Sequence, residues 1–291
     1  MTDPVASLVF AVTGGTGFLG RRIVAELVDR GASVRMLART PWASGNPRGS
    51  SITTVAGRLE DTESLDEWVR GADRVIHAAA VVGSIDVDVL RRTNIDGTRN
   101  ALGAAERAEV ERFVHVSSIA AEWRGDAAYG SSKRGAEDVV GASELPWVMV
   151  RPPVILGPGS QVEAKVARFA RTRVVPTIAG SGTMFPVHVD DVAHACVEAA
   201  VRPGVCGRRY ELPGPEALDL AEIQRRTLAA LGTRAVVLGI PAGVLRRISD
   251  LLVLATGSTP MPAEVIDAIA AGVEMDGTAA TRDLDFRPRA V

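Results

Sequence analysis

The stretch Thr13-Gly14-Gly15-Thr16-Gly17-Phe18-Leu19-Gly20 constrains this chain more than any other. It follows an apolar run of about one strand's length, Val5 to Val12, and opens a segment with helical spacing. Each glycine in such a turn has a mechanical reason. A small residue at 14 allows the tight turn, Gly17 lets backbone approach a pyrophosphate, and Gly20 lets the helix pack close to the strand. The helix N-terminus adds unpaired N–H donors and the positive end of its dipole. The segment is a candidate dinucleotide cradle.

The rest of the first half fits that beginning. Strand patterns at Ala6–Val12, Ser33–Ala38, Ile52–Ala56, Arg74–Ala79, Arg112–Ser117 and Trp147–Arg151 alternate with helical patterns at Gly17–Asp29, Glu63–Arg70, Asp86–Ala108 and Ala127–Gly141. Thr40–Ser51 reads as a surface loop. This alternation predicts an α/β chain with a doubly wound parallel sheet, the Rossmann arrangement, with six strands. Beyond Pro152 it breaks. Helices are expected at Val162–Arg171, Asp190–Val201, Asp219–Leu231, Ala242–Ala255 and Pro262–Gly272, with a strand at Met184–Val189. The expected division is a dinucleotide-binding core over 1–156, with 184–212 packing back onto it. A smaller substrate-binding part comprises 157–183 and 213–291.

Composition removes other classes. A formal charge of −2 offers no field to gather nucleic-acid phosphates, and 4% aromatics leaves few stacking platforms. No nucleic-acid partner is expected. The N-terminus lacks the positive region of a signal peptide, and no apolar run approaches the length of about 18 residues needed to cross a bilayer. The expectation is a soluble cytoplasmic protein without a membrane partner. Cys196 and Cys206 form no motif and read as buried small hydrophobes. His77, His115, His188 and His194 are scattered and read as packing or structural hydrogen-bonding residues, so no metal is expected. Asn94 is read as bonding local backbone, and Asp190-Asp191 as capping a helix start.

An NAD site carries an acidic residue at the end of its second strand, about 20 residues beyond the glycines. Here that stretch reads Val34-Arg35-Met36-Leu37-Ala38-Arg39-Thr40. It holds no carboxylate, and Arg39 stands beside the position. A guanidinium clamps a 2′-phosphate with two hydrogen bonds, so NADP(H) is favoured over NAD(H).

The chain holds two Tyr and, against 31 Arg, only two Lys. Tyr129-Gly130-Ser131-Ser132-Lys133 nevertheless sets one of each a helical turn apart, on one face. A free phenol titrates near about 10 and is a poor proton carrier at neutral pH. An ammonium beside it favours the phenolate, and a depression of about three units takes roughly 4 kcal/mol. Lys133 is therefore expected to lower the Tyr129 pKa. Upstream, Arg112–Ser118 is a strand ending in two serines at the carboxyl edge, where ligands of open α/β sheets bind. Ser117 reads as a turn residue and Ser118 as the catalytic candidate.

Together these segments resemble the extended short-chain dehydrogenase/reductase family, and the likeness covers nearly the whole chain. Val75–Ala80 resembles the family's fourth-strand exit, Arg151–Gly159 its segment near the nicotinamide, and Val187–Ala193 its strand-to-helix junction. The resemblance implies that Ser118 orients a carbonyl, Tyr129 exchanges the proton, and Lys133 also bonds the nicotinamide ribose. It implies backbone contacts to pyrophosphate around Thr16, Gly17, Phe18 and Leu19. It further implies adenosine contacts at Leu59, Ala78 and Ala79, and nicotinamide contacts at Pro152 and Val154. Gly57-Arg58-Leu59 departs from the family's common Gly-Asp-Leu, so Arg58 is expected to add charge near a 2′-phosphate. The final helix of some relatives is expected to be absent after Arg287-Pro288. The resemblance also implies a homodimer built on the helices at 86–108 and 127–141.

Within the family, Arg39, Pro152-Pro153-Val154 and the apolar Ile119-Ala120-Ala121 favour carbonyl reductases of the dihydroflavonol-reductase and 3β-hydroxysteroid-dehydrogenase type. The small-molecule substrate is expected to be an apolar ketone or aldehyde, or the corresponding alcohol. Its pocket is expected to come from Ala120–Asp126, Leu156–Arg173 and the C-terminal helices. The alternatives are a nucleotide-sugar epimerase or dehydratase and a non-catalytic nucleotide sensor, the latter disfavoured because both Tyr129 and Lys133 are kept.

Overall fold

The structure is a computed structural model and describes residues 3–40, 51–123, 127–256 and 261–291. Its elements in chain order begin with β1 (Val9–Thr13), α1 (Phe18–Asp29), β2 (Ser33–Ala38), β3 (Ile52–Ala56), α2 (Thr62–Val69) and β4 (Arg74–His77). A helical stretch follows as α3 (Val87–Leu90), a π-helical turn (Arg91–Asp96) and α4 (Gly97–Arg107). Then come β5 (Arg112–Val116), a 3-10 turn (Ile119–Glu122), α5 (Ala128–Gly141), β6 (Trp147–Arg151), β7 (Ile155–Leu156), α6 (Gln161–Ala170) and β8 (Val174–Ala179). The remainder is β9 (Val187–His188), α7 (Val189–Val201), β10 (Arg208–Glu211), α8 (Leu220–Ala230), β11 (Val236–Pro241), α9 (Ala242–Thr256), α10 (Ala263–Ala271) and α11 (Thr278–Leu284).

The central sheet is parallel throughout, in the order β10-β6-β5-β4-β1-β2-β3. Its inner strands β1, β4, β5 and β6 are largely buried because both faces are covered. On β1, Phe10 and Val12 enter one core with Ile23 and Leu27 of α1 and Val192 and Cys196 of α7. Ala11 enters the other core, with Trp68 of α2, Leu102 of α4 and Val140 of α5. The chain reverses direction across the sheet between β1 and β4, where Thr13 pairs with His77. The crevice above that switch point is where such sheets bind ligands.

Several expectations need correcting. The sheet has seven strands, not six, because the short charged segment Arg208-Arg209-Tyr210-Glu211 adds to β6. Its exposed arginines blunt an edge strand and hide the apolar alternation that would have marked it. Met184–Val189 forms only β9 and a single bridge from Met184 to Leu218, since Pro186 has no N–H to offer a ladder. Two further strands, β8 and β11, pair in parallel. Cys206 lies in the turn before β10 and is exposed, whereas Cys196 is buried. At α7 the cap is His188, whose Nδ1 accepts from the Asp190 N–H at 3.2 Å. Asp190 and Asp191 lie within the first turn. Asp191 instead holds the C-terminal segment, accepting from Arg289 N and Nε at 2.8 Å each.

Candidate active site

The glycine turn rides directly on the exit of β4. Gly14 has φ +70°, and a Cβ there would sit 2.7 Å from the backbone of Ala78 and Ala79. A Cβ at Gly20 would lie 2.0 Å from the Gly14 carbonyl oxygen, so the first turn of α1 and the loop can approach this closely only without side chains. Whereas α2, α6 and α8 begin with Asp or Ser side chains accepting from first-turn N–H groups, α1 begins at Gly17 with no side-chain cap and no acidic residue. Thr16 and Gly17 are exposed there, while Leu19 is buried in the core and offers only backbone. Uncapped donors and the dipole end at a steric cradle fit a dinucleotide pyrophosphate.

Beside the cradle, Thr13 Oγ1 bonds His77 Nδ1 at 2.8 Å and accepts from Ala79 N at 3.2 Å. His77 Nε2 meets Thr98 Oγ1 at 3.0 Å. Burial, with some help from the Lys133 charge, pushes His77 down to about 3, so it is a neutral strut. His115 stacks on it with centroids 5.7 Å apart, and neither of its ring nitrogens has a hydrogen-bond partner among the described residues.

Ala38 and Ala56 are register partners on β2 and β3. Arg39 and Arg58 follow them by one and two residues and are exposed. Neither has an acidic partner among the described residues. Leu59 is buried, and its side chain packs close to Gly97 on α4. Ala78 and Ala79 are half-buried against Gly14.

Tyr129, Lys133 and Ser118 do come together. A Cβ on Gly130 would stand 2.6 Å from the Ala120 carbonyl oxygen, so glycine lets α5 approach the 3-10 turn that Ser118 begins. Ser118 Oγ accepts from Ala120 N at 3.2 Å, and the Ser118 hydroxyl lies beside the Tyr129 phenol. Trp123 lies edge-on to the Tyr129 ring at 6.3 Å. The exits of β5 and β6 are tied by Ile119 N donating to Pro152 O at 3.1 Å, which sets Pro152 and the half-buried Val154 at the same edge.

Lys133 is buried, and its Nζ donates to Val116 O at 2.8 Å. Burial lowers its pKa to about 8, although Glu137 one turn further on opposes the shift. The expected depression of Tyr129 is not found. Burial raises the phenol, and the neighbouring Ser118 hydroxyl offsets only part of that. The Lys133 ammonium is directed to the Val116 carbonyl.

Three partnerships escaped the sequence reading. Asn94 lies in the π-helical turn, accepts from Val81 N at 2.8 Å, and donates to Val81 O at 3.1 Å and Ser132 Oγ at 3.0 Å. Its partners are thus a distant loop and helix, not the local backbone of its own helix. Ser132 in turn donates to Tyr129 O at 2.7 Å. Glu137 accepts from Ser117 Oγ at 2.5 Å and from Arg151 Nε and Nη2 at 2.8 and 2.6 Å. Burial alone would raise this carboxyl, but Arg151 and Ser117 bring it below its ordinary value. Its spacing of four from Lys133 was the available signal. On the substrate side, Val154 and Leu156 pack on an apolar cluster of Met184, Leu218 and Ile223, with Ile269 of α10. Glu264 of α10 accepts from Ala128 N at 3.3 Å, beside Tyr129. The expected pocket residues Arg124–Asp126 lie outside the described residues.

A family of NAD(P)H-binding proteins matches residues 14–203. The ceramide reductase of Caulobacter vibrioides is 37% identical over 186 residues, covering 64% of this chain and 58% of that protein. The match thus spans less than two thirds of that relative. The 4-hydroxy-2-methyl-3-oxo-4-farnesyl-3,4-dihydroquinoline-1-oxide ketoreductase of Stigmatella aurantiaca is 31% identical over 262 residues, covering 82% of this chain and 78% of that protein. Among solved structures, an epimerase of Methanothermobacter thermautotrophicus superposes with a TM-score of 0.80 at 22% identity. That superposition covers 100% of this chain and 91% of the other, a likeness of fold.

Proposed function

Because this chain belongs to the extended short-chain dehydrogenase/reductase family, we propose that it is an NADPH-dependent reductase of apolar ketones or aldehydes, with Tyr129, Ser118 and Lys133 as its working side chains. The observation that supports the reading is the meeting of Tyr129 and Ser118 at the carboxyl edge of the sheet, where Gly130 lets α5 approach the turn that Ser118 begins. Two adjacent hydroxyls there can both bond one carbonyl oxygen. A bound nicotinamide supplies the hydride. Ser118 holds the substrate oxygen, and Tyr129 gives it a proton as charge develops. A phenol kept protonated by burial suits donation, and hence reduction over alcohol oxidation. Lys133, fixed by Val116 O, contributes a positive charge behind the phenol and a donor for a ribose hydroxyl. Asn94 and Ser132 hold the backbone of Tyr129.

Arg39 and Arg58 at adjoining strand ends, with no carboxylate at the end of β2, support NADP(H) over NAD(H). The apolar cluster against Val154 supports an apolar substrate. So do the two reductases, one named for a ceramide and the other for a farnesyl-bearing quinoline oxide. The test is oxidation of NADPH with a panel of lipophilic ketones and aldehydes against UDP- and dTDP-sugars. Turnover of the carbonyl compounds is expected, and turnover of sugars alone would overturn the reading.

A further inference from the structure

We propose that the face built by α9 and the β8/β11 pair docks on the surface of an anionic lipid bilayer. Helix α9 carries its apolar stripe outward. Val244, Ile248, Leu251 and Leu252 recur at helical spacing and are 46%, 45%, 64% and 37% exposed, and Leu254 beside them is 84% exposed. Such a stripe on a helix of a water-soluble domain normally faces the core. The adjoining sheet pair adds Val174, Val236 and Leu238, also exposed, with Val174 and Val236 as register partners.

Charge selects the occupant. The chain as a whole is slightly acidic, yet residues 164–189 contain Lys165, Arg168, Arg171 and Arg173 and no acid. Residues 223–249 contain Arg225, Arg226, Arg234, Arg246 and Arg247 and again no acid. These are the segments that pair as β8 and β11 and run into α9. Arg225 and Arg226 are held by Glu222 and Glu216, and Arg246 by Asp267. Arg171, Arg173, Arg234 and Arg247 are exposed with no acidic partner among the described residues. Asp250 is the acid on α9 itself.

A two-fold dimer through this face would bring like-charged arginines together. An anionic bilayer attracts them and takes up the apolar side chains. No helix among the described residues is long and apolar enough to cross a membrane, and a helix lying in the interface needs no such length. The expectation of no membrane partner rested on span length and on the N-terminal pattern, neither of which bears on a helix lying in the interface. Helix α9 also packs on α10, whose Glu264 bonds the residue before Tyr129. The face therefore lies next to the site. That a bilayer-dissolved carbonyl compound enters there rests on the proposed reductase activity, whereas the docking itself does not.

The experiment is co-sedimentation of the full chain with vesicles of phosphatidylglycerol and phosphatidylcholine, or of phosphatidylcholine alone, at two salt concentrations. Binding to the anionic vesicles is expected to exceed that to neutral ones by about tenfold or more and to weaken with salt. Leu251→Ser with Leu254→Ser, and separately Arg171→Glu with Arg173→Glu, should each reduce it about tenfold or more. NADPH binding, measured by fluorescence titration on the same samples, should be unchanged, because the glycine cradle lies at the start of α1. Absence of binding to either vesicle overturns the docking, as does equal binding to both. So does light scattering that shows a dimer which the Leu251/Leu254 variant dissociates, with no vesicle binding. Vesicle binding without turnover of any carbonyl compound leaves the docking standing and removes the reductase reading.

Discussion

Tyr129 and Lys133 carry opposite perturbations that burial explains. The phenol is raised because its charged form is the anion, and the amine is lowered to about 8 because its charged form is the cation. Tyr129→Phe removes the proton donor without disturbing the helix. Its kcat should fall about a thousandfold while NADPH titration is unchanged. The Lys133 charge is present below pH 8 and lost as pH rises through that value. The reductive kcat should therefore decline above about pH 8 in a pH–rate profile, and Lys133→Met should abolish the inflection along with most activity. For stability the sign is reversed. An amine whose folded pKa lies below its unfolded one makes the fold more stable as pH rises between the two. Thermal denaturation across that window should show no parallel loss. At the end of β2, Arg39→Asp should weaken NADPH binding about tenfold or more and shift preference toward NADH in fluorescence titration. Unchanged preference would assign the discrimination to Arg58 alone.

Helix α5 works as one piece because three of its residues meet three different elements. Gly130 admits the turn that carries Ser118, Lys133 bonds the end of β5, and Glu137 bonds Arg151 of β6. Gly130→Ala would drive its Cβ into the Ala120 carbonyl, which cannot swing away as a side chain does. About 1–3 kcal/mol of stability should be lost, with kcat falling about tenfold or more as Tyr129 leaves Ser118. The control is Gly103→Ala on α4, where a Cβ meets only the tip of the Arg107 guanidinium, at 3.4 Å. That substitution should gain about 1 kcal/mol of helix stability and leave kcat alone. Urea denaturation and initial rates on both variants separate the two effects.

At the scale of the whole molecule, a buried carboxylate of α7 helps fasten the C-terminal end, alongside the packing of Leu284 and Phe286 in the core. Asp191, 6% exposed, accepts from the backbone and side chain of Arg289. Asp191→Ala should cost about 2 kcal/mol in denaturation experiments and expose the tail to proteolysis. NADPH affinity should be unchanged, because the glycine cradle lies at the start of α1 and not at α7.

Local spacing alone determined the cradle, the Tyr129–Lys133 pair and Ser118 at a strand end, because residues three or four apart on a helix, or on consecutive turns of chain, meet whatever surrounds them. Strands β2, β3 and β6 were legible to the residue because their β-branched and apolar runs are bounded by turn residues. Tertiary structure alone decided what lies far apart in sequence. It joined Asn94 to Val81 and Ser132, added the charged β10 to the sheet edge, and paired β8 with β11. It also turned Lys133 toward Val116, and the sign of the Tyr129 shift came from desolvation, which depends on everything packed around a group and not on its neighbours in the chain.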